Sequence, residues 1–191
     1  MRLSLNSLFT MFLITVAGVA GSVIFGLMSY GGNVFNTTSP GFSFLAYGLS
    51  GAFIFSFYHV RGLSETITVA VVVSTLQFVA SLTWISMLNA LIWSYGVNLP
   101  VVVLAFIFER KLEPMRRGRF IIVALVYGAM FVLLSLFGGW LAGVEQMPAS
   151  VFRENFIDGV LIGLGLGLGV QGGEAFVVSL EHHRLAKAAR T

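Results

Sequence analysis

The chain has 191 residues, of which 57% are hydrophobic and 10% are charged, and its mean hydropathy is +0.92. A water-soluble fold of this size needs more polar surface than this composition supplies, so the chain is predicted to lie in a membrane. The net charge of +3 fits basic loops beside anionic lipid and does not indicate a nucleic-acid partner, and the absence of cysteine excludes disulfides and cysteine-based metal or catalytic sites.

Lysine and arginine are concentrated in four clusters along the chain. The clusters are Arg2; Arg61; Arg110, Lys111, Arg116, Arg117 and Arg119; and Arg184, Lys187 and Arg190. Basic residues are retained on the cytoplasmic side, so each apolar stretch between two clusters must cross the membrane an even number of times. The pattern predicts an all-α, polytopic membrane protein with six transmembrane helices in one bundle. It also predicts the cell (inner or plasma) membrane, with both termini in the cytoplasm.

The first two predicted helices cover residues 8–30 and 41–60. Both are close to the roughly 20 apolar residues that a spanning helix needs. Arg2 ahead of an apolar run also fits a cleaved signal peptide that ends near residues 18–20. The run stays apolar as far as Met28, and cleavage would leave five crossings, so a retained first helix is the favoured interpretation.

Residues 66–108 must cross the membrane twice, yet no clear polar loop divides them. The best turn signal is residues 94–98, because Asn98 can cap a helix that has Pro100 in its first turn. This interpretation predicts a long helix over residues 66–93 and a short one over residues 99–112. The alternative is a tight turn near residues 86–89, which gives two ordinary helices.

The last two predicted helices cover residues 120–144 and 156–180. In the loop between them, Pro148 is expected to open a short interfacial helix that carries Val151 and Phe152. No soluble segment exceeds about a dozen residues, so residues 1–191 are predicted to form a single transmembrane domain.

Glycine recurs every four residues along the sixth predicted helix. The two ridges are Gly159, Gly163 and Gly167, and Gly165, Gly169 and Gly173. Small residues let two helix backbones approach closely in lipid, so this helix is expected to pack against two neighbours. Gly18, Ser22 and Gly26 of the first helix are the expected partner surface. The alternative is that these smooth ridges allow helices to slide or to form contacts in an oligomer.

A polar stripe follows one face of the third predicted helix. Its members are Thr66, Ala70, Ser74, Gln77 and Ser81, which lie within a face about 80° wide. An unsatisfied glutamine amide costs several kcal/mol in hydrocarbon, so Gln77 must find a partner or water. An interhelical hydrogen bond is the simpler interpretation. The alternative is that Ser74, Gln77 and Ser81 form the substrate-binding face of a cavity.

Two carboxylates lie within the sixth predicted helix. Glu174 is about 10 Å from the inner end of a helix that stops at Leu180. Carboxylates inside a membrane suggest proton coupling or ligand binding, so Glu174 is a further candidate substrate-binding residue. Arg117 and Arg119 are its expected structural partners. Asp158 fits an acidic residue in the first turn of a helix.

One four-residue segment resembles a catalytic motif. Gly48-Leu49-Ser50-Gly51 is similar to the Gly-x-Ser-Gly of rhomboid intramembrane proteases, which pair this serine with a histidine on another helix. In this chain His59 is nine residues along the same helix, about 13.5 Å away. The other two histidines, His182 and His183, lie beyond the sixth helix. A serine without a base is a weak nucleophile, so neither a catalytic residue nor an enzyme is predicted.

The residue inventory predicts no metal site and no cofactor, because the spans lack facing histidines, a carboxylate cluster and a lysine for a Schiff base. Three functions remain. The favoured one is a small transport-type membrane component that handles a small polar or amphipathic solute without covalent chemistry. The alternatives are a structural or assembly subunit of a larger membrane complex, and a six-helix sensor or anchor. Membrane lipid and other membrane subunits or a homo-oligomer are the expected partners.

Overall fold

A computed structural model of the chain describes residues 4–83, 86–111, 118–141, 143–144 and 148–188. Within these ranges the chain forms six α-helices and one short 3-10 helix, and it contains no strand. The helices are α1 Leu5–Tyr30, α2 Phe42–Arg61, α3 Leu63–Ser81, α4 Met87–Lys111, α5 Arg119–Leu141 and α6 Ala149–Ala188. All six are long and apolar enough to span a membrane, which confirms the predicted fold class.

The third and fourth helices divide at a different place from the favoured prediction. α3 ends at Ser81 and α4 begins at Met87, so the predicted helices over residues 66–93 and 99–112 are wrong. The break lies close to the alternative turn near residues 86–89. With 19 and 25 residues, α3 and α4 are about 28 and 38 Å long, and both approach or exceed the core thickness of about 30 Å. A helix over residues 99–112 would have been too short to cross.

The sixth helix is longer than predicted. It begins at Ala149 and has 40 residues, so a separate interfacial helix that opens at Pro148 and carries Val151 and Phe152 is wrong. At 1.5 Å per residue α6 is about 60 Å long, roughly twice the thickness of the hydrocarbon core. Its ends therefore extend beyond the apolar layer. α5 is slightly shorter than predicted, because it ends at Leu141.

α6 lies between α5 and α1 and contacts each through one glycine ridge. On the α5 side, a Cβ at Gly163 would lie 2.7 Å from the carbonyl oxygen of Val123. On the α1 side, a Cβ at Gly169 would collide with the carbonyl group of Ala17. The backbones are thus too close for any side chain at these positions, and the three helices form the most closely packed part of the bundle.

The small residues of α1 form two adjacent faces, and the predicted one is turned mainly toward α2. The Ser22 hydroxyl donates to the carbonyl oxygen of Phe44 at 2.7 Å, and a Cβ at Gly26 would lie 2.7 Å from the Phe44 Cβ. α6 contacts the neighbouring face at Ala17 and Gly21, and it also meets two of the three expected residues: Gly18 lies against Val170, and a Cβ at Gly165 would lie 2.8 Å from the Ser22 Cα. The expected pairing with α6 therefore holds for Gly18 and Ser22 and is corrected for Gly26, which lies against Phe44 of α2.

α2 and α3 are joined almost directly. α2 ends at Arg61 and α3 begins at Leu63, and Gly62 between them has a φ of +80°. Residues with a side chain rarely adopt this backbone conformation, so the sharp reversal requires glycine here. We call the end of the bundle at Arg61 and Arg119 the basic end, and the end at the connection 31–41 the loop end.

α3 lies at the edge of the bundle, where it packs against α2 and α4. Its other side is an apolar face exposed outside the bundle, as lipid contact requires. The exposed apolar residues are Ile67, Val71, Val72, Leu76 and Val79. The inner side of α3 carries the polar stripe, which therefore faces α2 and α4.

Candidate functional site

A partly open pocket of about 660 Å³ lies between α2 and α3 toward the loop end. Its volume is in the range of pockets that bind small organic molecules. Its polar lining consists of Thr37, Ser39, Ser43, Tyr47, Ser50, Gln77 and Ser81. Its apolar lining includes Phe42, Leu49, Phe53 and Val73. Two of the predicted substrate-binding residues, Gln77 and Ser81, thus line one pocket.

A buried amide network lies directly behind this pocket. Asn98 of α4 is 1% exposed, and its Nδ2 donates to Gln77 Oε1 at 2.9 Å, Ser74 Oγ at 3.2 Å and the Ser94 carbonyl oxygen at 3.0 Å. A carbonyl oxygen can only accept, so the Asn98 atom that faces Ser94 must be nitrogen. This contact fixes the orientation of the whole network. Ser74 belongs to the network and is not part of the pocket lining.

The network determines what Gln77 offers to the pocket. Its Oε1 is occupied by Asn98, whereas its Nε2 has no hydrogen-bond partner among the residues that the structure describes. Gln77 lines the pocket, and Nε2 is the part of its amide that keeps two N–H donors for a ligand. The Ser81 hydroxyl, one turn further along α3, donates to the Gln77 carbonyl oxygen at 2.7 Å and keeps its lone pairs.

Asn98 was not predicted as a partner of Gln77, because Asn98 followed by Pro100 resembles the start of a helix. In the structure α4 runs on through Asn98 and Pro100 without interruption. The sequence does contain a signal for this contact, namely the presence of both Gln77 and Asn98 in apolar segments. Two amides in adjacent apolar segments must both be satisfied, and the simplest solution is a hydrogen bond between them.

The rest of the stripe lies toward the basic end and does not form part of the pocket. Thr66 is fully buried, and its hydroxyl donates to the Gly62 carbonyl oxygen at the start of α3. Ala70 is 5% exposed and belongs to the apolar core. The stripe therefore serves packing in one half and lines the pocket in the other.

Glu174 lies in a second, separate cleft at the basic end. Its Oε1 is 3.3 Å from His59 Nδ1 on α2, and its Oε2 is 3.9 Å from Arg119 Nη1 on α5. The cleft has a volume of about 640 Å³ and is also lined by Gln171. Arg119 is thus one of the two expected partners, whereas Arg117 is outside the described residues. The structure does not bring Glu174 together with Ser74, Gln77 and Ser81.

His59 was not predicted as a partner of Glu174. From the sequence alone, His59 stands out only as a base for Ser50, which lies too far away. Its position two residues before Arg61 already places it near the basic end, at the depth that Glu174 occupies. Beside Glu174 and Arg119 a partly open space of about 30 Å³ reaches Gly167, with room for one water molecule.

Asp158 connects two helices near the loop end. Its Oδ2 accepts a hydrogen bond of 2.7 Å from the hydroxyl of Tyr30, at the end of α1. Because α6 begins at Ala149, Asp158 is nine residues inside the helix. Its expected place in a first helical turn is therefore wrong, and its observed partner is a side chain of α1.

The segment that resembles the rhomboid motif is part of the α1–α2–α6 packing. Gly48 lies against Ser22, and Gly51 lies against Leu166 and the Tyr127 hydroxyl. The Ser50 hydroxyl donates to the Tyr47 carbonyl oxygen at 3.3 Å. The glycines thus allow close contacts, and the serine lines the pocket.

Within the described ranges, no group of three or more His, Asp or Glu side chains is arranged to hold a metal ion. The six apolar helices define the class, a multi-pass α-helical membrane protein. No protein-family model, curated protein or solved structure matches the chain.

Proposed function

We propose that the protein is a small transport-type membrane component that handles a small polar or amphipathic solute without covalent chemistry. The observation that carries this proposal is the unpartnered Gln77 Nε2 in a pocket of about 660 Å³. A free amide donor inside an apolar layer costs several kcal/mol unless a ligand or water pairs with it. Ligand binding gives this donor a partner.

The packing of the bundle supports movement of one part against another. α1, α5 and α6 are held together at backbone distance by the glycine ridges. Among the described residues α3 packs mainly against α2 and α4, and it joins α2 through Gly62. A rigid core beside a hairpin with a glycine joint is suited to a hinge motion. Such a motion of α3 and α4 would open and close the pocket.

Binding without covalent chemistry fits the groups in the pocket. Ser50 is the hydroxyl of the motif-like segment, and its proton is already donated to a backbone carbonyl. The described lining contains no histidine, lysine, aspartate or glutamate that would activate it. We also propose that the basic end faces the cytoplasm of the cell (inner or plasma) membrane.

A structural subunit of a larger membrane complex is the second candidate. The exposed apolar face of α3 favours it, because α3 is the least buried of the six spans. If a partner helix or a second copy of the chain bound this face, the role of the protein would depend on that contact and not on the pocket. Mild-detergent purification of the tagged protein, followed by identification of co-purifying chains, separates this role from transport.

The transport proposal is tested by filling the pocket. Ala80 lines the pocket, whereas Leu76 on the same helix is 66% exposed on the outer face. Small molecules that co-purify with wild type are identified by native mass spectrometry, and their transbilayer movement is measured in proteoliposomes. Ala80→Trp should abolish both binding and movement, and Leu76→Trp should retain them. Equal behaviour of the two variants would contradict the proposal.

A further inference from the structure

We infer that the solute of the pocket between α2 and α3 is an uncharged amphiphile, with a hydroxyl or carboxamide head group on an apolar body. The inference rests on the proposed function and names its substrate class. It follows from the donors, acceptors and charges that the described lining presents.

The hydroxyl protons of three pocket serines are already used. Ser43 donates to the Pro40 carbonyl oxygen at 2.7 Å, Ser50 to that of Tyr47 at 3.3 Å, and Ser81 to that of Gln77 at 2.7 Å. A serine hydroxyl has one proton, so in this arrangement these side chains offer a ligand their lone pairs. A hydrogen-bond donor on the solute can pair with them.

Gln77 presents hydrogen-bond donors, whereas these serines present acceptors. Its oxygen is occupied by Asn98, so it presents only N–H donors. Gln77 and Ser81 are one helical turn apart, which puts their Cβ atoms about 5–6 Å from each other. A ligand group that accepts from Gln77 and donates to Ser81 satisfies both. A hydroxyl and a primary carboxamide each have this dual capacity.

The same lining indicates that the head group of the solute is uncharged. None of the described residues around the pocket is Asp, Glu, Lys, Arg or His. An ionic head group would lose its hydration there without gaining a partner of opposite charge. A neutral head group needs only the hydrogen bonds that the pocket offers.

The apolar wall is suited to the rest of the molecule. Phe42, Leu49, Phe53 and Val73 are the larger apolar side chains of the lining, and Leu49 is half exposed. An alkyl or isoprenoid body can lie against these side chains. An entirely polar solute would leave them unpaired with apolar atoms.

Asn98 acts as a positioning residue for this recognition. It does not line the pocket, but its Nδ2 holds Gln77 Oε1 and its own orientation is fixed by the Ser94 carbonyl oxygen. Without the hydrogen bond from Asn98, the Gln77 amide could turn and present its oxygen to the pocket. The pocket would then lose its donor and its preference for a ligand acceptor.

Three photoreactive probes test the inference. They share the same alkyl chain and differ in the head group, which is a primary alcohol, a sulfate or a trimethylammonium. The full chain in lipid nanodiscs is irradiated with each probe, and label on the α2 and α3 peptides is quantified with and without excess unlabelled alcohol. The saturable labelling by the alcohol should exceed that by either ion at least about tenfold, because the ions lose hydration without compensation. Sulfate and trimethylammonium keep their charge at every pH used.

Variants make the test specific to the named residues. Gln77→Leu should lower the ratio of alcohol to trimethylammonium labelling several-fold, because the alcohol loses a hydrogen bond while the desolvation cost of the ion is unchanged. Asn98→Leu should lower the ratio in the same direction. Thr75→Val is the matched control, since Thr75 is on α3 but bonds to Tyr95 outside the pocket; its ratio should equal that of wild type. The ratio, unlike total label, is insensitive to a loss of folded protein.

The outcomes separate the substrate class from the proposed function. Equal saturable labelling by all three probes, or preference for an ion, overturns the uncharged amphiphile while the pocket remains a binding site. Absence of saturable labelling by every probe overturns the proposed function as well. A wild-type ratio in Gln77→Leu or in Asn98→Leu contradicts the role assigned to that residue.

Discussion

At the residue scale, Asn98 controls the polar chemistry of the pocket from behind it. Its amide nitrogen has three acceptors for two hydrogens, while its Oδ1 has no partner among the described residues. Hydrogen bonds between membrane helices contribute about 0.6–2 kcal/mol each. This amide therefore contributes to both stability and the orientation of Gln77.

Asn98→Ala is expected to lower stability by about 1–2 kcal/mol, because it removes the interhelical hydrogen bonds that Asn98 donates to Gln77 and Ser74. Thermal unfolding of the detergent-purified protein measures the change. Ser94→Ala is the matched control on the same helix, since the buried Ser94 hydroxyl has no partner in the described structure. Its melting temperature should remain near that of wild type. A loss as large in Ser94→Ala would mean that packing, and not the amide, accounts for the effect.

Glu174 illustrates a weaker polar contact at the basic end. Its carboxylate is 25% exposed and lies 3.3 Å and 3.9 Å from basic nitrogens of His59 and Arg119. Partly exposed ion pairs of this length stabilise little and are screened by salt. The pocket between α2 and α3 is at the other end of the bundle.

Glu174→Gln should therefore lower stability by less than about 1 kcal/mol, and the difference should shrink as salt is added. Melting temperatures of wild type and variant at low and high ionic strength provide the measurement. Alcohol-probe labelling of the pocket should be unchanged. A defect in transbilayer movement with intact labelling would assign Glu174 a coupling role, and a salt-independent loss of stability would contradict the ion-pair explanation.

At the element scale, α6 is the helix that packs closely against both α1 and α5. Its two glycine ridges bring α5 and α1 to backbone distance, and they extend over four turns of the helix. The spacing of four residues keeps each ridge on one side of α6. Any side chain on a ridge must push a neighbouring backbone away, which a packed bundle cannot absorb cheaply.

Gly163→Leu is expected to prevent correct assembly, because its Cβ alone would lie 2.7 Å from a backbone oxygen of α5. Gly172→Leu is a control with the same substitution on the same helix, since a Cβ at Gly172 meets nothing within 4 Å. Leu164→Ile should also be nearly neutral. Expression and monodispersity in gel filtration compare the three variants. A monodisperse Gly163→Leu protein would show that α5 can move away.

At the scale of the whole molecule, orientation in the membrane follows from charge. Arg61 and Arg119 lie at one end of the bundle, and the 31–41 connection lies at the other. Because the chain has no cysteine, single cysteines can be introduced without removing native ones. Exposed positions are available at both ends.

Cysteines at Asn33 and Val144 should react with a membrane-impermeant thiol reagent added to intact cells, because both are expected outside. A cysteine at His183 should react only after the membrane is permeabilised. The extent of labelling on gels measures each. External reactivity at His183 with protection at Asn33 would invert the proposed orientation.

The sequence by itself determined the membrane class, the number of spans and the small-residue faces. These properties are local: apolar length decides whether a helix can cross, and a four-residue period decides which residues share a side. Four of the six helices were identified near their observed positions for this reason. The boundary between α3 and α4 was misplaced, because Asn98 and Pro100 resemble a helix start locally while the membrane thickness requires a longer α4.

Only the tertiary structure decided which faces meet. It paired the Gly18, Ser22 and Gly26 face of α1 mainly with α2, and it separated Glu174 from the polar half of α3. It also showed that Asn98 holds the Gln77 oxygen and leaves the nitrogen to the pocket. A periodic pattern fixes the side of one helix on which a residue lies. The identity of the neighbour depends on long-range packing of all six helices, which no local pattern contains.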